Sequence, residues 1–149
     1  MQVILDNFTL IEYNHHDDTH FDVINKLNHD DSSKKYLGDL FYTIERVELR
    51  KEDNFNNGNY IVFYDNNPVG YLNLSYKEDD YYLTYAILKE FRNKHLASLL
   101  LKEFTEYAFD KLKINKLVLT IEYDNIGSQK VAITNNYQQD DLKHYSKSR

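Results

Sequence analysis

The segment from Tyr81 to Ala108 restricts the fold more than any other, because it reads as strand, loop and helix in immediate succession. Tyr81 to Leu88 is an aromatic and β-branched run, the composition of a buried strand. Leu96, Leu99, Leu100, Phe104, Tyr107, Ala108 and Leu112 recur at helical spacing, the apolar stripe of a helix packed on a sheet. Between them lies a short basic connector, Arg92-Asn93-Lys94-His95-Leu96-Ala97. A helix start presents unpaired N–H groups and a partial positive charge, so this unit is a ready anion site.

A second patterned stretch follows an apolar strand at Leu117 to Ile121 and runs from Asn125-Ile126-Gly127-Ser128 to Asn136-Tyr137. The connector resembles the pyrophosphate loop of the Gcn5-related N-acetyltransferase superfamily, Arg or Gln, two residues, Gly, one residue, then Gly or Ala. Arg92, Lys94 and Ala97 fit that pattern, Leu96 fills its aliphatic slot, and His95 replaces its first glycine. The later stretch is similar to the family's Asn-x-x-Ser helix ending in Gly-Phe, with Asn125, Ser128, Val131 and Ala132 at the usual spacing and Tyr137 in place of Phe. Nearer the amino terminus, Asp30-Asp31-Ser32-Ser33-Lys34-Lys35-Tyr36-Leu37 resembles the Asp-Pro-x-Val-x-Arg-Tyr-Leu segment of the branch containing the ribosomal-protein amino-terminal acetyltransferases.

The resemblance implies a single α+β domain over residues 1–149, with a mixed, mostly antiparallel sheet flanked by helices. Strands are expected near 8–13, 60–64, 68–76, 80–88 and 116–122, with a short pair within 137–147. Asp17 or Asp18 is placed to cap a helix after the first strand, and Asp65-Asn66-Asn67-Pro68 to turn a hairpin. Lys51 to Asn59 reads as the longest loop. The carboxy-terminal segment is shorter than the family's usual hairpin, which implies an open acceptor side.

The chain has 149 residues and no cysteine, which excludes a disulfide framework and a thiol nucleophile of its own. Its 14 tyrosines and 8 phenylalanines predict an aromatic core. A net charge of -6 argues against nucleic acid as a partner, since phosphate backbones need clustered Lys and Arg. The acidity falls in doublets such as Asp17-Asp18 and Asp140-Asp141, leaving Lys89, Arg92, Lys94 and His95 as a local basic cluster. With no signal peptide or membrane-length apolar run, the expectation is a cytoplasmic monomer or homodimer without a membrane partner. His16 and His20 stand one helical turn apart beside His15, Asp17 and Asp18, but a helix cap explains those acids better than a metal site.

What the resemblance implies chemically is direct transfer of an acetyl group from acetyl-CoA, without a metal, to a small-molecule or peptide amine. A bulge in the strand before the loop would expose the main chain of Ile87 and Leu88 to the pantetheine arm and acetyl oxygen. Arg92, Asn93, Lys94, His95, Leu96, Ala97 and Ser98 would hold the pyrophosphate, and Asn125 the arm. Ser128 would donate to the departing thiolate, with Tyr145 the next candidate. The general base is not fixed by spacing, and Tyr82, Tyr85, Glu90, Glu122 and Tyr145 all stand open. Deprotonating a lysine-like amine at pH 7 costs about 4.6 kcal/mol and an α-amine about 1, which favours an α-amine where no carboxylate base is evident. His95 has three readings: a strained αL residue costing ~1 kcal/mol, an imidazole that binds phosphate when protonated, or a mark of lost catalysis. The second function class is accordingly a non-catalytic acyl-CoA-binding or interaction module.

Overall fold

The computed structural model describes residues 2–14, 16–37, 58–92 and 95–149. Its strands are β1 (Gln2–Ile4), β2 (Phe8–Glu12), β3 (Gly58–Tyr64), β4 (Asn67–Lys77), β5 (Asp80–Ile87), β6 (Lys116–Thr120), β7 (Gln138–Gln139) and β8 (His144–Ser148). Its helices are α1 (Asp18–Asn28), α2 (Asp31–Leu37), α3 (Leu96–Asp110) and α4 (Ile126–Thr134), with a 3₁₀ turn at Lys89–Phe91. Among the described residues all eight strands join one sheet in the order β1-β2-β3-β4-β5-β6-β8-β7, giving the mixed α+β architecture expected. Every pairing is antiparallel except β5 with β6.

Local sequence explains the turns. Asp65 and Asn66 take φ 51° and 64°, and Glu78 and Asp79 take φ 52° and 68°, two tight hairpin turns with both central residues at positive φ. Asn67 and Pro68 therefore belong to β4 rather than to the turn. Pro68 lies opposite Phe63, where the β3–β4 register shifts, as suits a residue with no N–H for the ladder. β1 was not among the expected strands; three residues are too few for an alternating pattern to show.

The sheet separates two apolar layers. On one face α3 packs Leu100, Leu101, Phe104 and Ala108 against Leu10, Val62, Leu72 and Leu83. On the other, α1 sets Val23, Ile24 and Leu27 against Ile61, Tyr71 and Ala86. Asp17 caps α1, its side chain accepting from the N–H groups of Thr19 and His20. His20 is buried, its Nδ1 accepting from the Asn14 N–H at 3.0 Å, and burial lowers its pKa despite the nearby Asp17 charge. It is a structural residue. Leu112 corrects the expected stripe: α3 ends at Asp110, and Leu112 lies beyond it, 43% exposed. Of the expected 51–59 loop, Gly58 and Asn59 open β3, and 51–57 fall outside the described residues.

Candidate active site

The parallel junction between β5 and β6 is paired only at Tyr81↔Leu117 and Tyr82↔Val118. Beyond Tyr82 the two strands have no further register partners, and β5 continues along β4 alone to Ile87. The Leu88 N–H donates to the Val69 carbonyl at 2.8 Å, continuing the β4–β5 ladder past its last strand pair. Alternation along an antiparallel ladder then turns the main-chain amides of Ile87 and Tyr85 away from β4 and into the wedge. A cavity of about 460 Å³ occupies this region. Leu83, Tyr85, Tyr82 and Thr84 all line it, so successive residues of β5 border the cavity along the unpaired edge of the strand. Thr120, Ile121, Glu122, Asn125 and Ser128 form one wall, and Tyr36 with Tyr71, Asn73, Ser75 and Lys77 another.

That geometry divides the two main-chain positions expected to bind ligand. Leu88 is corrected, because its amide already serves Val69, whereas the Ile87 amide faces away from β4 by alternation, although Ile87 is not among the residues lining the cavity. The expected bulge is also corrected. The β4–β5 register is continuous from Lys77↔Asp80 to Gly70↔Ile87, and the splaying of β6 exposes the amides instead.

The connector has a backbone suited to close approach of a ligand. His95, the N-cap of α3, takes φ 60° and ψ 16°, the left-handed conformation that the family's glycine would adopt without strain. Its imidazole is exposed and makes no capping bond, and no acid stands in the first helical turn. The first intrahelical bond runs from Leu99 N–H to His95 C=O at 3.1 Å, so the amides of Leu96, Ala97 and Ser98 precede the ladder. The Leu96 side chain is core, 5% exposed, and Ala97 packs beside that core, so their contribution at the surface is main chain only. The Ser98 hydroxyl accepts from Asn135 Nδ2 at 3.2 Å, tying α3 to the end of α4. Asn93 and Lys94 lie outside the described residues.

Arg92 turns inward. Its guanidinium pairs with Asp30, reaches Ser33 Oγ at 3.1 Å and, through Nε, donates to the Ile87 carbonyl at 3.0 Å. It therefore clamps the start of α2 to the end of β5 instead of facing a pyrophosphate. Burial alone would raise the Asp30 carboxyl pKa; hydrogen bonds from Arg92 and Ser33 and the Arg92 charge outweigh it and bring the pKa below the ordinary value.

Of the two proton-handling candidates, Ser128 lines the cavity and Tyr145 does not. Ser128 sits in the first turn of α4, where Asn125 Oδ1 accepts its N–H at 3.3 Å and leaves the hydroxyl for other work. Tyr145 is corrected to a core residue: it is 3% exposed, opposite Leu119 in the β6–β8 ladder. Tyr82 and Tyr85 line the cavity as protonated phenols. Burial raises the Tyr82 pKa, with the Asp80, Glu78 and Asp141 charges adding, and burial with nearby Tyr137 raises that of Tyr85. Glu90 is on the 3₁₀ turn and outside the lining. Glu122 is the one lining carboxylate among the described residues, 3.4 Å from Lys143 Nζ.

Asn73, Ser75, Thr84 and Tyr36 had not been singled out as site residues. A signal for the first two exists: along β4, Tyr71, Asn73, Ser75 and Lys77 alternate with Leu72 and Leu74, which marks one polar face on a central strand. Tyr137, standing where the family has Phe, is buried with its hydroxyl 2.7 Å from Thr105 Oγ1 and its pKa pushed up to about 12 by burial. The extra oxygen is thus satisfied by α3.

Comparison with known proteins agrees with this geometry. An acetyltransferase from Bacillus anthracis, 16% identical, superposes with a TM-score of 0.79, covering 99% of this chain and 98% of that one. An acetyltransferase from Agrobacterium tumefaciens gives a TM-score of 0.78 at 13% identity, covering 100% and 95%. The Salmonella typhimurium enzyme described as modifying the N-terminal serine of ribosomal protein L7/L12 gives 0.68 at 20% identity, covering 97% and 96%. No curated protein sequence matches the chain. The model of the acetyltransferase (GNAT) family matches residues 16–132, and with most of its length accounted for in that way the chain belongs to this family.

Proposed function

We propose that the protein is an N-acetyltransferase that moves the acetyl group of acetyl-CoA onto a primary amine by direct attack. The observation that carries this reading is the wedge between β5 and β6, where the pairing stops after Tyr82 and a cavity is lined by Tyr85 on one side and Ser128 on the other. The residues present fit acetyl-CoA. An extended pantetheine amide chain has the spacing to bond the free edge of β5, and the first turn of α3, uncapped and free of acids, suits a pyrophosphate. Bound there, the thioester supplies an activated acyl carbon.

The chain's own residues would do the rest. The Ile87 amide donates to the acetyl oxygen as negative charge develops on it. Ser128 donates a hydrogen bond to the departing sulfur, relaying a proton from water, because an aliphatic hydroxyl is a poor acid by itself. The acceptor enters from the face of Tyr36, Asn73, Ser75 and Tyr82, whose polar groups suit an α-amine with its adjoining peptide or a compact small amine.

Thiol release from acetyl-CoA, measured with a panel of serine-, alanine- and methionine-initiated peptides, free amino acids and polyamines, tests the assignment. Turnover on one acceptor class supports it, and binding of acetyl-CoA without turnover on any amine overturns it. Ser128→Ala is expected to lower kcat about ten- to a hundredfold while acetyl-CoA binding hardly changes.

A further inference from the structure

An amine acceptor must lose a proton before it attacks, and the cavity lining offers little to take it. Tyr82 and Tyr85 stay protonated, Lys77 is a cation, and Glu122 stands against Lys143. A different base stands one position beyond the lining. His144, the first residue of β8, lies opposite Thr120, itself part of the cavity wall. Its ring approaches the Tyr82 ring edge-on, 6.5 Å between centroids. Alternation in the sheet puts His144, Thr120 and Tyr82 on the same face, that of Asn73, Ser75 and the proposed acceptor.

The imidazole is held in one orientation. Its Nδ1 lies 2.8 and 3.0 Å from the two oxygens of Asp141, and the same carboxylate accepts the N–H groups of Lys143 at 3.0 Å and His144 at 2.9 Å. The Lys143 amide and the His144 side chain lead in drawing the Asp141 pKa down, so Asp141 stays ionised near neutrality. An ionised carboxylate accepts the hydrogen bond of Nδ1–H, which leaves the Nε2 lone pair free. Other charged and titratable groups around the pair are the Tyr82 phenol with Lys77 Nζ 4.7 Å above its ring, Asp80 and Glu78 at the β4–β5 turn, the Glu122–Lys143 pair, and Asp140, bonded to Ser146.

We propose that His144 is the general base for the acceptor amine and that Asp141 is its positioning residue. This rests on the acetyltransferase reading. His144 Nε2 takes one proton from the acceptor ammonium, directly or through one water, and passes it to solvent. The freed nitrogen lone pair forms the C–N bond to the acetyl carbon, the C–S bond breaks, and the sulfur leaves with the electron pair. The nitrogen sheds a second proton while the thiolate gains one, so one proton reaches solvent per acetyl group transferred.

The test uses the full chain, acetyl-CoA and a serine-initiated peptide, or whichever amine of the panel the parent protein acetylates best. His144→Gln is expected to lower kcat/KM at pH 7 about a hundredfold and to remove the acid limb of its pH profile, with the acetyl-CoA dissociation constant unchanged. Asp141→Asn, which keeps an oxygen for the turn amides, is expected to retain the limb with a smaller loss of rate. A His144→Gln protein with the parental rate and acid limb overturns the proposal, as does disappearance of the limb in Glu122→Gln while His144→Gln retains it. Failure of the parent protein to turn over any amine is a separate result and overturns the acetyltransferase reading itself.

Discussion

His95 takes φ 60° with an exposed imidazole, at a position where the backbone enters a helix and side-chain identity is dictated by conformation. Asn, Asp and His tolerate the left-handed region better than most residues, and β-branched ones hardly at all. His95→Val is therefore expected to cost about 1–3 kcal/mol in urea unfolding, whereas His95→Gly stays near parental stability. In CoA titrations His95→Gly should bind at least as tightly as the parent, since glycine takes the left-handed conformation without strain. Asp30 acts at the same scale but inward, holding Arg92 on Ser33 and Ile87. Asp30→Ala leaves a partly buried guanidinium unpaired, with an expected loss of about 2 kcal/mol. Because the folded carboxyl titrates below its unfolded value, this contribution is complete above the ordinary carboxylate range and fades as pH falls through the folded pKa. The stability difference between parent and variant should therefore shrink below pH 4.

At the scale of elements, the close approach of β4 to β5 depends on Gly70. A Cβ there would lie 2.2 Å from the Ala86 carbonyl oxygen, a backbone atom that cannot swing aside. Gly70→Ala is expected to destabilise the fold by about 3 kcal/mol or more, since relief requires the two strands to move apart. The same shift would displace Ala86 and Ile87 beside the wedge, so weaker acetyl-CoA binding should accompany the loss in thermal unfolding. Helix α3 is anchored at several heights by polar contacts as well as its apolar stripe. Buried Glu103 accepts from both the main-chain N–H and Nδ2 of Asn7, at 2.8 and 2.6 Å, and Thr105 meets Tyr137. An anchored helix keeps its first turn fixed relative to β5, as the proposed pyrophosphate contact there would need.

For the molecule as a whole, the wedge exists because β6 joins β5 at only two positions while β8 pairs all five residues of β6. β8 thus gives the splayed half of the site a firm backing, although no residue of β7 or β8 lines the cavity itself. An exposed ion pair, Lys35 to Asp124 at 3.0 Å, links α2 to the segment before α4. A ligand that fills the wedge binds only the folded state, so acetyl-CoA at a hundredfold its dissociation constant should add about 2.7 kcal/mol to stability. A thermal shift assay at millimolar acetyl-CoA checks this, and an unchanged melting temperature would count against the wedge as the cofactor site.

Periodicity and turn chemistry made the strand–loop–helix unit at 81–108, the Asp65-Asn66 reversal and the Asp17 cap legible in the sequence, because each is set by residues close along the chain. The helix carrying Ser128 was legible through Asn125 for the same reason. The sequence did not show that Arg92 pairs with Asp30, that Leu88 gives its amide to Val69, or that Tyr145 is buried behind Leu119. Each depends on which segments far apart in sequence become neighbours. Nor does local sequence foretell where a parallel pairing stops. The length of the β5–β6 contact is decided by helices and strands packed on both sides, and it is that stopping point which turns buried strand residues into a candidate active site.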